Sequence, residues 1–135
     1  MLAVTTDAAG QPKPKETGEA PGTKAATARR ERRKDRPKIP PASKTPAAIE
    51  SDNFLGLGDR FSETEKWNAA EAAYKEAVKV LPSNDDALLE LGYVYLTNGK
   101  MDEAQQIHSR LRSLNTTYAS ELLAEINRRK STKDH

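Results

Sequence analysis

The 135-residue sequence predicts an all-α fold in which two helix-turn-helix units and a fifth helix follow a disordered N-terminal tail. Three observations predict this fold: the composition changes near residue 50, the sequence aligns with itself at an offset of 34 residues, and apolar residues recur at helical spacing. The predicted boundaries are 1–50 for the tail, 51–130 for the helical domain and 131–135 for a short C-terminal tail.

The first fifty residues are predicted to be a disordered, basic tether. They contain seven of the eight prolines, no aromatic residue, and eleven Lys and Arg residues against six Asp and Glu. Such a segment buries too little apolar surface to offset the entropy lost on folding. Residues 51–135 reverse the balance, with eleven basic residues against fourteen acidic ones, so the overall charge of +2 hides two unlike halves.

The internal repeat aligns residues 51–84 with residues 85–118. Six aligned positions carry the same residue, namely Asp52/Asp86, Leu55/Leu89, Leu57/Leu91, Gly58/Gly92, Lys66/Lys100 and Ala70/Ala104. Phe61 and Tyr95 align as a conservative aromatic pair. This period of 34 residues is typical of stacked helical repeats.

Each unit is predicted to contain two helices. In the first unit, apolar residues recur at helical spacing over 54–61 and 70–81, on either side of a polar turn at 63–66, and Pro82 ends the unit. In the second unit, similar stripes cover 88–95 and 101–114.

The turn of the second unit falls at Asn98-Gly99, a strong turn pair. Asp85 and Asp86 stand where they would cap the first helix of that unit. The fifth helix is predicted over 117–129, capped by Thr116 or Thr117.

The repeated positions resemble the signature of the tetratricopeptide repeat. The first unit matches that signature throughout, with Phe54, Leu57, Gly58, Phe61, Ala70, Tyr74, Ala77 and Pro82. The second unit keeps Leu88, Leu91, Gly92, Tyr95 and Ala104, but has His108, Leu111 and Thr116 where the family usually has an aromatic residue, a small residue and proline. Residues 117–129 resemble the capping helix of such arrays, and the resemblance implies a short right-handed superhelix.

The resemblance also implies a scaffold or adaptor that binds another protein or a peptide on the concave face of the repeats. The corresponding side chains are Asp52, Leu55, Asp59, Ser62, Leu89, Glu90, Tyr93 and Thr97. Because this surface is acidic with an apolar centre, we expect a peptide with basic and apolar residues, anchored by Tyr93 and by Leu55 or Leu89. The alternative is that these acids only solvate the surface.

One known ligand class of the family is not expected here. Some members hold the acidic C-terminal tails of chaperones with a clamp of Lys and Asn side chains. The matching positions of this chain carry Leu55, Asp59, Glu90, Ser120 and Ala124, and the two carboxylates would repel such a tail. With only two repeats, where about three are usually needed for independent stability, marginal stability or self-association is also expected.

The sequence predicts no enzyme, no cofactor and no metal site. It has no cysteine, and of its two histidines His108 lies on an apolar helical stripe while His135 is the last residue. A catalytic pair or a metal site would need partners that the sequence does not supply.

A basic run at residues 29–38 offers an alternative function. Its basic residues are Arg29, Arg30, Arg32, Arg33, Lys34, Arg36 and Lys38. They could bind a polyanion, either nucleic acid or an anionic membrane, with the repeats as a dimerisation scaffold. The run is otherwise a solvated linker, or it lies over the acidic concave face as an autoinhibitory contact. The expected location is the cytoplasm, or a membrane-tethered site if a membrane helix precedes this sequence.

Overall fold

The computed structural model describes residues 24–37 and 40–133, and every regular element within these ranges is helical. The α-helices are α1 (Lys24–Lys34), α2 (Pro46–Glu63), α3 (Trp67–Val80), α4 (Asp85–Thr97), α5 (Met101–Ser113) and α6 (Tyr118–Lys133). A short 3-10 helix at Pro41–Ser43 lies between α1 and α2. Helices α2 and α3 form the first predicted unit, α4 and α5 form the second, and α6 follows, which confirms the all-α prediction.

The structure differs from the predicted boundaries at both ends of the helical domain. Helix α1 lies within the segment predicted to be disordered, and α2 begins at Pro46 instead of after residue 50. Thr45 sets that start, because its side chain accepts a hydrogen bond from the backbone N–H of Ala48 at 3.1 Å, and proline suits the first helical position. Helix α6 continues to Lys133, beyond the predicted end at 129. The rest of the predicted tails, 1–23, 38–39 and 134–135, lies outside the described residues.

The two units use equivalent turns with different residues. Glu65 and Gly99, which are 34 positions apart, both have positive φ angles, of 60° and 77°. Glycine adopts this conformation freely, whereas the side chain of Glu65 makes it less favourable. The start of α4 was predicted one residue late. Asn84 caps this helix, since its side chain accepts a hydrogen bond from the backbone N–H of Ala87 at 3.1 Å, and Asp85 and Asp86 fall in the first turn.

Two glycines allow the helices to pack closely. A Cβ atom added at Gly58 would lie 2.5 Å from the ring of Tyr74 in α3, so the two helices of the first unit approach each other closely here. At Gly92 the nearest side chain is Leu122 of α6, at 2.6 Å. The residue equivalent to Tyr74 in the second unit is the half-buried His108, and the capping helix fills the position above Gly92 instead.

Polar contacts connect the first unit to the second. The carboxylate of Glu71 accepts hydrogen bonds from Asn98 Nδ2 and Lys100 Nζ, each at 2.8 Å. At the other end of the unit, Ser51 Oγ accepts from Asn84 Nδ2 at 2.8 Å. These bonds fix the two units relative to each other in addition to the apolar core.

Helix α6 closes the array by packing on α4 and α5. Its Leu122 and Ile126 are fully buried, and Arg129 Nη1 donates to the backbone carbonyl of Leu96 at 3.3 Å. The apolar face of the second unit is therefore covered, as the resemblance to a capping helix implied.

Candidate protein-binding face

Helices α2, α4 and α6 lie side by side, and α1 lies across the surface that they share. Helix α4 contacts both α2 and α6. Arg33 of α1 pairs with Asp59 of α2, Arg29 pairs with Glu90 of α4, and Arg32 pairs with Glu121 of α6. We define the acidic face as the side chains on these helices that α1, or Arg36 just after it, contacts: Asp59, Glu63, Asp86, Glu90, Tyr93, Tyr118 and Glu121.

Glu90 is the centre of the acidic face. Its side chain is fully buried, and Arg29 binds it with two parallel hydrogen bonds, from Nε to Oε2 at 2.9 Å and from Nη2 to Oε1 at 3.1 Å. Arg33 Nη1 donates to the same Oε2 at 2.9 Å. A guanidinium that meets a carboxylate in this forked geometry forms one of the stronger polar contacts in proteins.

Asp59 forms the second anchor and is held in place by the core of the first unit. Tyr74 Oη donates to Asp59 Oδ1 at 2.7 Å, and Arg33 Nη2 donates to Asp59 Oδ2 at 2.5 Å. Tyr74 is itself fully buried beside Gly58. The carboxylate is therefore oriented toward α1 by a side chain that the repeat signature provides.

Two tyrosines add ring contacts to the ion pairs. The guanidinium carbon of Arg29 lies 3.8 Å from the ring centroid of Tyr93, and that of Arg32 lies 5.1 Å from the ring of Tyr118. Arginine is attracted to aromatic faces at these distances. Tyr118 Oη also donates to Asp86 at 2.9 Å, and Asp86 in turn accepts a hydrogen bond from Arg36 at 2.6 Å.

The two central carboxylates have opposite pKa shifts. Burial opposes the ionisation of Glu90, but Arg29 and Arg33 outweigh it and hold the pKa of Glu90 below its ordinary value. Burial raises the pKa of Asp59 above its ordinary value despite the opposing effects of Arg33 and Tyr74, and the nearby charge of Glu90 acts in the same direction as burial. Glu90 is therefore the more firmly ionised of the two.

The structure brings together three of the residues predicted for the concave face: Asp59, Glu90 and Tyr93. The hydroxyl of Ser62 contacts Tyr74 Oη inside the protein, at 3.2 Å. Leu89 is 1% exposed while α1 is docked, and its role as an anchor stays a prediction.

The other predicted face residues lie away from the centre or in the core. Leu55 is buried in the same apolar core as Leu89. Asp52 is exposed and pairs with Lys44 at 2.7 Å, and Thr97 donates a hydrogen bond to the backbone carbonyl of Tyr93 at 3.1 Å.

Sequence reasoning missed four members of the acidic face. Asp86 is the 34-residue equivalent of Asp52, so the repeat alignment could have identified it. Glu63 lies at the end of α2, in the segment assigned to a turn. Tyr118 and Glu121 lie on the capping helix, whereas the concave face was predicted from the first helix of each repeat.

The basic run is not a solvated linker where the structure describes it. Arg29 and Arg30 are buried, and Arg30 pairs with Glu63 at 3.3 Å. Arg33 is mostly covered, whereas Lys34 is exposed and lies 3.9 Å from Glu31. Lys38, the last residue of the run, lies outside the described residues. The contact between this run and the acidic face, which opposite charge suggested, is present.

Within residues 24–37 and 40–133, no three His, Cys, Asp or Glu side chains are grouped as they would be around a metal ion. No helix in the same ranges combines the length and the apolar character needed to cross a membrane.

Comparison with known proteins identifies the repeats. Residues 55–108, which run from α2 into α5, match the family model of the tetratricopeptide repeat. No curated protein and no solved structure matches the chain. The matched segment covers most of the first predicted unit and the larger part of the second, and α6 covers the end of the second unit. The chain therefore contains a tetratricopeptide repeat region over residues 55–108.

Proposed function

We propose that this protein is a scaffold or adaptor whose acidic face binds an arginine-bearing segment of a partner protein. Tetratricopeptide repeats generally bind other proteins or peptides, and that broad role follows from the family. The observation that supports the finer proposal is the docking of α1, whose arginines reach Asp59, Glu90 and Glu121 on three different helices. A surface that accommodates one basic helix in this way has the shape and charge to accommodate another.

The geometry favours arginine over lysine in the partner. Glu90 accepts two parallel hydrogen bonds from one guanidinium, and the ring of Tyr93 offers a flat face to the same group. Lysine has a single ammonium group, which neither forks onto a carboxylate nor stacks on a ring in this way. The same carboxylates would repel an acidic tail, so the acidic face selects against that class of ligand.

A peptide with the sequence of residues 24–37 provides the direct test. Its affinity would be measured by fluorescence anisotropy, with the full chain carrying R29A and R33A so that the chain's own helix no longer holds the acidic face. We expect the peptide to bind this chain, and adding D59N and E90Q should weaken binding by at least about tenfold, because each removes an acceptor of charge-assisted hydrogen bonds.

A matched control separates specific recognition from general attraction of charge. The pair D102N and E103Q makes the same change in charge at exposed positions on α5, away from the acidic face. We expect this pair to leave the affinity within about twofold, since surface charges contribute little at moderate salt. An equal loss in both pairs would contradict the proposal.

The alternative, polyanion binding through residues 29–38, stays a prediction. While α1 is docked, Arg29 and Arg30 are buried and Arg33 is engaged by two carboxylates. The arginines that would carry such binding are thus directed toward the repeats, and the docked structure favours the protein-binding function.

A further inference from the structure

The contacts of α1 are almost entirely electrostatic. Among its described side chains, Ala26 is the one apolar residue that is buried, while Arg29 and Arg33 provide the closest contacts with the repeats. Arg32, and Arg36 just beyond the end of α1, add pairs that are half-exposed to solvent. A helix attached through ion pairs, with so little apolar surface buried, leaves and returns more readily than one that belongs to the core.

The short length of α1 also indicates that this helix leaves the acidic face readily. It has 11 residues, and isolated helices shorter than about 12 to 15 residues are marginal in water. Its Ala, Arg and Lys residues favour a helix, but docking on the acidic face must supply the remaining stability. Undocking and loss of helical structure are therefore expected to occur together.

The docked helix also specifies the pattern of residues that the acidic face recognises. Arg29 and Arg33 stand at positions i and i+4, on one side of α1, and Arg36 follows two residues after the helix ends at Lys34. Arg29 pairs with Glu90, and Arg33 pairs with both Glu90 and Asp59. Arg36 pairs with Asp86. A partner helix with arginines at i and i+4 can replace the contacts of Arg29 and Arg33 with Glu90 and Asp59.

We propose that α1 is an intramolecular competitor for the acidic face, and that a partner helix with arginines at i and i+4 binds by displacing it. This inference rests on the proposed function and adds the regulation of the same site. Eleven residues, 35–45, connect α1 to α2, so the tethered helix has a high effective concentration at the acidic face. A partner binds in proportion to the fraction of molecules in which α1 has left.

The test compares how three full-length chains bind the labelled peptide of residues 24–37. R29A with R33A weakens α1 and should increase the apparent affinity at least about tenfold over the wild type, the ratio expected if the acidic face is open in about a tenth of wild-type molecules. R110A with R112A makes the same change in charge on α5 and should match the wild type.

A distance measurement identifies displacement independently. The chain has no cysteine, so A28C on α1 and Q106C on α5, both exposed positions, take spin labels selectively. The distance distribution should be narrow in the free protein, and it should become broad when unlabelled peptide saturates the chain. An unchanged narrow distribution at saturation would overturn the inference, because the peptide would then bind elsewhere.

The two proposals fail in different ways. Equal affinity of the wild type and of the chain with R29A and R33A overturns the competition but leaves the acidic face as a binding site. Absence of binding to the chain with R29A and R33A, while circular dichroism shows intact helices, overturns the proposed function and the competition with it.

Discussion

Glu90 has a buried carboxylate that depends on cationic neighbours. Removing a carboxylate from water costs several kcal/mol unless opposite charge and hydrogen bonds replace the solvent. Here Arg29 and Arg33 supply three hydrogen bonds, all from α1. When α1 leaves, the carboxylate of Glu90 must either be hydrated or pair with the guanidinium of another segment. This residue therefore makes the acidic face selective for cations.

The pH dependence of docking follows from the two carboxylates. The pKa of Glu90 is lowered in the docked structure, so its contribution is fully present above the ordinary pKa of a glutamate and is lost as the pH falls through the lowered value. The raised pKa of Asp59 acts in the opposite sense. Burial disfavours the charge of Asp59, so protonation of this carboxylate at lower pH relieves the cost of burying it. We therefore expect α1 to undock below the ordinary range of a glutamate, measured by the spin-label distance between positions 28 and 106.

A matched variant isolates the carboxylate in that experiment. With E90Q, docking should be weak at every pH and the acid transition should disappear. Retention of the transition in E90Q would show that another group controls it.

Three glycines provide a test of close packing. G58A and G92A should each destabilise the protein by about 1 to 3 kcal/mol, because the added methyl groups meet Tyr74 and Leu122 at 2.5 and 2.6 Å. Gly56 lies in the same helix as Gly58, but the nearest atom to its added methyl group is 3.9 Å away, on Arg60. G56A should therefore stabilise α2 by about 0.5 to 1 kcal/mol, since alanine favours a helix more than glycine does.

Chemical denaturation measures these free energies of unfolding. If G58A and G56A had the same effect, close packing at Gly58 would not be the reason for its presence.

At the scale of the element, α1 and α3 show what the sequence could predict and what it could not. Helix α3 has an apolar stripe of residues at helical spacing, of which Ala70, Tyr74 and Ala77 are buried. Because this stripe lies within the helix's own sequence, the helix was predicted. Helix α1 has no such stripe, and what stabilises it lies at Glu90, more than fifty residues away in the chain. Opposite charges on the two halves suggested the contact, but they carried no periodic signal from which a helix could be predicted.

The candidate site was predictable to a similar extent. The repeat spacing placed Asp59, Glu90 and Tyr93 on one face, and these are the residues that α1 contacts most closely. It could not show that Leu89 is buried, because the first helix of each unit contributes apolar residues both to the core and to the exposed surface.

Salt should weaken the docking of α1 much more than the packing of the repeats. The electrostatic screening length falls from about 10 Å at 0.1 M salt to about 3 Å at 1 M. The half-exposed pairs of Arg32 and Arg36 are the most sensitive to this change. Raising the salt from 0.1 M to 1 M should broaden the spin-label distance between positions 28 and 106 while the circular dichroism of the repeats changes little.

The matched control for this experiment is a distance within the repeats, between labels at N53C and Q106C, which should not change. An α1 distance that stays narrow at 1 M salt would contradict the electrostatic account of docking.

At the scale of the whole molecule, the repeats and α1 have different roles. The two repeats and α6 share one apolar core, in which Tyr74, Leu88 and Leu122 are fully buried. Helix α1 is outside that core and covers the acidic face. The molecule thus combines a stable binding surface with an attached segment of the same chemistry as the proposed ligand.

The measurement that tests this account most directly is a double-mutant cycle between peptide and protein. The affinity of the peptide of residues 24–37, with and without Arg29→Ala, would be measured for the full chain carrying R29A and R33A, with and without E90Q. As a control, Arg29→Ala in the peptide would be replaced by Lys34→Ala, a change on the exposed side of the helix.

We predict that Arg29 and Glu90 are coupled by at least about 1 kcal/mol, as for close charge pairs at other interfaces, and that Lys34 shows no coupling to Glu90. Additive effects of the Arg29 and Glu90 changes, within about 0.3 kcal/mol, would contradict the claim that this face recognises an arginine-bearing helix through Glu90.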